Sequence, residues 1–143
     1  MDFAMSRLAD GQWVHVYPEG RVNERGDVTP LLPLRWGVGR MVAEVPPDAP
    51  VPVVVPIYHL GMDGVLPNVK PYVPRLLSRQ RVTVCVGRPV DVERVLRDTE
   101  GQSKEERRKA VTEAVDKALR ELRKEAEIHH AKHTFTGRDE STL

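Results

Sequence analysis

The residues best suited to chemistry lie together near the start of the chain, at Tyr17-Pro18-Glu19-Gly20-Arg21. A carboxylate, a residue without a Cβ and a guanidinium follow one another there. Glycine lets a ligand approach the main chain closely, and arginine's planar fork of N–H donors matches phosphate. The preceding Trp13-Val14-His15-Val16-Tyr17 is rich in β-branched and aromatic residues and reads as a short buried strand. A strand ending in Pro-Glu-Gly places these groups at the C-terminal edge of a sheet, where α/β proteins bind ligands. Spacing alone favours the plainer reading of the same residues, a strand-ending turn with a solvated Glu-Gly-Arg.

Other reactive side chains offer less. Cys85 is the single cysteine, which excludes an internal disulfide framework and any cysteine-rich zinc site. His129 and His133 stand at i,i+4, but His130 occupies the position that carries Glu in a zinc-binding H-E-x-x-H. That cluster reads as a fraying helix tail rather than a metal site.

The elements that must position the tract follow from periodicity. Residues 1–11 read as the end of a helix anchored by Phe3 and Leu8 and stopped at Gly11. Leu34, Val38, Met41, Val42 and Val45 share one side of a helix over 34–45. Gly37 and Gly39 weaken it by about 1 kcal/mol each relative to Ala unless close packing needs them. Val51 to Ile57 is continuously apolar, as a parallel strand covered on both faces would be, although Pro52 and Pro56 favour an edge or strand end. A proline-punctuated connection over 58–80 leads to a third strand, Arg81 to Val86, and a short helix from Asp91 to Asp98. Ser103 and Glu106 form a capping box at the start of the longest element. Val111, Val115, Ala118, Leu122 and Ala126 line one face of that helix, and i,i+4 pairs such as Glu105/Lys109 decorate the other. The stripe suits packing within the chain, with a partner helix as the alternative. Together these make an α/β layer arrangement of at least three strands with covering helices.

The ordered series of motifs resembles the glycerolipid acyltransferase family, and within it the cardiolipin-remodelling transacylase branch. Trp13 to Gly20 is similar to the family's third block, written F-P-E-G, with Tyr17 in place of Phe. Leu34-Arg35-Trp36-Gly37-Val38-Gly39-Arg40, Val54 to Asp63, Val65-Leu66-Pro67-Asn68, Pro71-Tyr72-Val73-Pro74-Arg75 and Val86-Gly87-Arg88-Pro89 continue the resemblance in order. It implies a partial acyltransferase-like α/β sheet over 1–130 with a long C-terminal amphipathic helix; residues 131–143 beyond it read as a polar, disordered tail. It also implies that Tyr17, Pro18, Glu19, Gly20 and Arg21 hold the glycerophosphate of an acyl acceptor. The family usually places its arginine where Val22 stands here, and the adjacent Arg21 fits the transacylase branch better. Val55, Pro56 and Ile57 match the fourth block and would line the acyl chain.

The family's catalytic block is H-x4-D, in which His takes the proton of the acceptor hydroxyl and Asp orients the imidazole. No histidine of this chain has Asp five residues later. His59 and Asp63 come nearest, at H-x3-D, but they follow the third block where the family's pair precedes it; His59 therefore reads as structural or substrate-proximal. The resemblance thus assigns no catalytic residue to these 143 residues: it places the pair upstream of Met1 and matches the chain to the C-terminal half of the family domain.

Partners follow from the same source. Phospholipids and lysophospholipids are implied, cardiolipin and monolysocardiolipin in particular, at the surface of a mitochondrial membrane, whether the outer membrane or the inner one facing the intermembrane space. Between Asp63 and Asp91 the charged residues are Lys70, Arg75, Arg79, Arg81 and Arg88, with no acid among them. Interleaved with apolar residues, they suit an anionic lipid surface, or simply a solvated loop. No stretch approaches the roughly 20 apolar residues that span a bilayer, so interfacial attachment is expected. Twenty-two Lys+Arg against 21 Asp+Glu leave a formal charge of +1, which with few aromatics argues against nucleic acid. The expected activity is acyl transfer between phospholipids; the alternative is a non-catalytic chain that binds lipid surfaces.

Overall fold

Ser103 and Glu106 satisfy each other at the start of the longest element. The Ser103 N–H donates to Glu106 Oε2 (2.9 Å) and the Glu106 N–H to Ser103 Oγ (3.3 Å). Backbone donors that a helix start otherwise leaves without partners are met in this way. The Ser103 hydroxyl also donates to Glu106 Oε2 (2.7 Å), and this bond and the one from the Ser103 N–H hold the Glu106 carboxyl below its ordinary range.

In the computed structural model, which describes residues 2–20, 32–46, 48–67 and 80–136, the elements are α1 (Asp2–Ala9), α2 (Gly37–Ala43), β1 (Ile57–Leu60), α3 (Met62–Val65), β2 (Thr83–Val86), α4 (Val92–Asp98) and α5 (Lys104–Thr136). The chain divides into two units, and α5 contributes to the first as far as Ala118 and to the second from Leu119. Helix α5 runs to Thr136, into the segment expected as a disordered tail; 137–143 lie outside the described residues.

The first unit is built on α1, α2, α4 and the start of α5. Helix α1 ends as expected near Gly11, where the Gly11 N–H donates to Leu8 O (3.0 Å) and the Gln12 N–H to Arg7 O (2.8 Å). Asp91 caps α4, its Oδ1 accepting from the Arg94 N–H at 3.1 Å. Val42, Val92 and Val111 form the core, with Val54, Val90, Val95 and Leu96 packed against them. Gly39 is buried on α2, and a Cβ there would overlap the Arg108 carbonyl and the Thr112 hydroxyl of α5. Close packing thus requires a glycine that helix propensity alone disfavours. Glu44, just past α2, binds Arg108 and also Arg40 (3.4 Å), which in turn reaches Asp2 (3.6 Å). Burial pushes the Glu44 carboxyl up, but the hydrogen bonds and charges of Arg108 and Arg40 together outweigh it and hold the group below its ordinary range.

Two expected strands in this unit are corrected. Residues 12–17 join no ladder among the described residues, and Trp13 is 88% exposed. β-Propensity marks residues that fit a half-buried pleated surface, and here no neighbouring strand supplies that surface. The stretch from Val51 reduces to one bridge, Val54 with Val90 (Val90 N–H to Val54 O, 2.8 Å). Pro52 and Pro56 flank it without N–H donors, so no longer ladder forms there.

In the second unit β1 and β2 pair antiparallel, from Ile57 opposite Val86 to Leu60 opposite Thr83. The expected parallel sheet of at least three strands is therefore, among the described residues, a two-stranded antiparallel one. Period-two alternation puts Tyr58, Leu60, Thr83 and Cys85 on one face and Ile57, His59, Val84 and Val86 on the other, which is exposed. Thr83 Oγ1 and His130 Nδ1 lie 2.8 Å apart, tying β2 to α5. Leu119, Leu122 and Ala126 are the buried residues of α5 in this unit; Leu119, four residues after Val115, takes the place expected for Ala118. Lys109 pairs with Glu113 at 3.8 Å rather than back toward Glu105.

Candidate functional site

The tract that opened the sequence reading folds into a turn. The Gly20 N–H donates to Tyr17 O (3.0 Å), which brings Pro18 and Glu19 to its corners. The Arg35 N–H then donates to Pro18 O (2.8 Å) and fixes the segment leading into α2 beside the turn. Gly20 has φ +69°, a left-handed backbone that an L side chain resists. A Cβ at residue 20 would also meet Arg35, at 2.6 Å from Cδ and Nε and 3.2 Å from Cζ. The missing side chain is the space in which the arginine lies.

Around this turn Pro18 and Glu19 are half-buried, whereas Tyr17 is 70% exposed and meets His15 edge-on (4.9 Å between centroids, 76° between planes). Arg21 lies outside the described residues. The cation seen at the turn is therefore Arg35. The sequence reading quoted it within a motif without giving it a role, and no periodicity signals a hydrogen bond that crosses from Pro18 to Arg35.

Of the fourth-block residues, Pro56 is buried, while Val55 (43%) and Ile57 (46%) are exposed apolar groups, Ile57 opening β1. Of the basic set, Arg81 and Arg88 are exposed, and Lys70, Arg75 and Arg79 lie outside the described residues. His59 is exposed on β1 and Asp63 is exposed on α3. His130 is engaged with Thr83, and among the described residues no group of three or more His, Cys, Asp or Glu is placed to hold a metal ion. The turn can thus present a guanidinium and backbone groups to an anion, and it carries no histidine–aspartate pair of the H-x4-D kind.

A family model described as Acyltransferase matches residues 1–60, a span that includes the turn, α2 and Val55-Pro56-Ile57. The chain is 38% identical over 132 residues to "Tafazzin" of Drosophila melanogaster, covering 91% of this chain and 33% of that protein. It is 44% identical over 77 residues to "Taffazin" of Dictyostelium discoideum, covering 53% of this chain and 26% of that protein. It is 35% identical over 96 residues to "N-acylphosphatidylethanolamine synthase" of Arabidopsis thaliana, covering 64% and 31%. The chain therefore spans about a third or less of the length of these relatives. No solved structure matches it.

Proposed function

Because the chain is tafazzin-like over most of its length, we propose that it is the substrate-binding part of a phospholipid–lysophospholipid transacylase that remodels cardiolipin at a mitochondrial membrane. The observation that carries this reading is the Tyr17–Gly20 turn with Arg35 on it, inside the span matched by the acyltransferase family model. Glu19, Gly20 and Arg21 hold the glycerophosphate of the lysophospholipid, and Val55-Pro56-Ile57 lines its acyl chain. The relatives named for tafazzin and for synthesis of an acylated phosphatidylethanolamine support a phospholipid substrate.

In the reaction the acceptor hydroxyl attacks the ester carbonyl of a donor phospholipid. One ester forms as the other breaks, and the hydroxyl proton passes to a general base and then to the leaving lysophospholipid oxygen. The exchange is balanced without a diffusible cofactor. The 143 residues contain no H-x4-D pair, so the chain alone binds substrate and does not transfer acyl groups. That absence also favours a second reading, a non-catalytic lipid-surface protein, in which Lys70, Arg75, Arg79, Arg81 and Arg88 supply the attraction to anionic headgroups. No helix among the described residues is long and apolar enough to cross a membrane, and both readings use attachment at the interface.

The test incubates the purified chain with vesicles of phosphatidylcholine, labelled in its acyl chains, and monolysocardiolipin. The expected result is co-flotation that weakens with salt and no label in cardiolipin. Label reaching cardiolipin contradicts the assignment of the base; failure to float with these vesicles contradicts both readings.

A further inference from the structure

The cation at the Tyr17–Gly20 turn is not accounted for by the turn's own stability. Arg40, Arg94, Arg97 and Arg108 of the same unit each reach a carboxylate: Asp2 and Glu44, Asp98, Glu93, and Glu44 respectively. Among the described residues Arg35, like Arg88 and Arg107, reaches no carboxylate, and no hydrogen bond engages its guanidinium, although its backbone N–H is fixed on Pro18. Its stem rests where residue 20 would otherwise carry a Cβ. The side chain is thus positioned from two directions, by the backbone bond and by the glycine, while its charged end has no partner among the described residues. An exposed arginine with no partner ordinarily samples many rotamers; this one has a prepared resting place, which reduces the ordering cost of binding.

We infer that Arg35 is a specificity-determining residue of the acceptor site, its guanidinium binding the phosphate of the glycerophosphate group. The inference rests on the acceptor-binding reading above and gives Arg35 a ligand contact that this reading assigns only to Glu19, Gly20 and Arg21. Five N–H donors in a planar fork suit two phosphate oxygens at once, a geometry that lysine's ammonium lacks. The chemistry recognised is a phosphate ester, and it is shared by a lysophospholipid headgroup and by free phosphate.

The experiment titrates the full 143-residue chain by calorimetry with short-chain lysophosphatidylglycerol, with inorganic phosphate, and with a monoacylglycerol of the same chain length. Arg35→Gln is expected to weaken lysophosphatidylglycerol binding about tenfold and to leave monoacylglycerol binding unchanged. Arg35→Lys, which keeps the charge and loses the fork, is expected to recover only part of the loss, and circular dichroism to show the wild-type helix content in both variants. Parallel weakening toward inorganic phosphate would show that the phosphate alone is the recognised group; weakening confined to the lysolipid would show that the glycerol and chain must be present too. Both results support the inference. Equal lysophosphatidylglycerol affinity in wild type and Arg35→Gln overturns it and leaves the acceptor site standing. Equal weakening toward monoacylglycerol, or Arg35→Lys binding no better than Arg35→Gln, also overturns it. A wild-type chain that binds monoacylglycerol as tightly as lysophosphatidylglycerol removes the acceptor reading itself, and the inference with it.

Discussion

Replacing Gly39 by alanine destabilises the chain by about 1–3 kcal/mol. The usual expectation has the opposite sign, since alanine in a helix interior is favoured over glycine by about 1 kcal/mol. Gly39 is an exception because its α-carbon faces the backbone of α5. A Cβ there would overlap the Arg108 carbonyl and the Thr112 hydroxyl, which itself donates to Arg108 O at 2.8 Å. Backbone cannot rotate away as a flexible side chain can. Nor is α5 free to withdraw, for Val111 is fully buried in the core against Val42 and Val92, and Arg108 is held by Glu44. Separating the helices enough to admit a methyl group would loosen those contacts together. Urea unfolding followed by circular dichroism checks this: the midpoint should fall with little change in slope. A Gly39→Ala chain as stable as wild type would mean that α2 and α5 do not pack as described.

Gly20→Val is expected to weaken lysophosphatidylglycerol binding by more than about 30-fold, roughly 2 kcal/mol, while changing overall stability far less. Two effects act at once. A β-branched residue is strained at φ +69°, so the turn must open. Its Cβ would also stand 2.6 Å from Arg35 Cδ and Nε, so the arginine side chain must shift from its place against the turn. Residue 20 is itself exposed and the core lies elsewhere, among Val42, Val92 and Val111, so the loss falls on the site. Calorimetric titration beside a urea melt separates the two quantities. Unchanged affinity with an intact fold would show that neither the turn nor Arg35 takes part in binding.

How much of this was legible in the sequence depends on how local each feature is. The capping box, the Asp91–Asp98 helix and the α5 stripe are written within a few residues of one another, and each forms close to where it was read. The expected sheet failed because a strand is defined by its partner. Trp13–Tyr17 has the composition of a strand, yet nothing in those residues specifies what lies alongside, and none pairs with them among the described residues. Pro52 and Pro56 did announce that Val51–Ile57 could not form a long ladder, and the pairing begins at Ile57, just past the second proline. The candidate site divides the same way. Pro18-Glu19-Gly20 declares a turn, whereas the placing of Arg35 on it depends on a hydrogen bond across a gap that no spacing rule covers. The doubt that Gly39 cast on α2 dissolves once its neighbour is known to be the Arg108 carbonyl.

The central claim is that the Tyr17–Gly20 turn holds the phosphate-bearing end of an acyl acceptor. The most direct measurement is a titration of the isotopically labelled 143-residue chain with lysophosphatidylglycerol below its micelle concentration, read amide by amide by NMR. The account predicts saturable shifts at Tyr17, Glu19, Gly20 and Arg35. Saturable shifts confined to other residues, with these four amides unmoved, would contradict it.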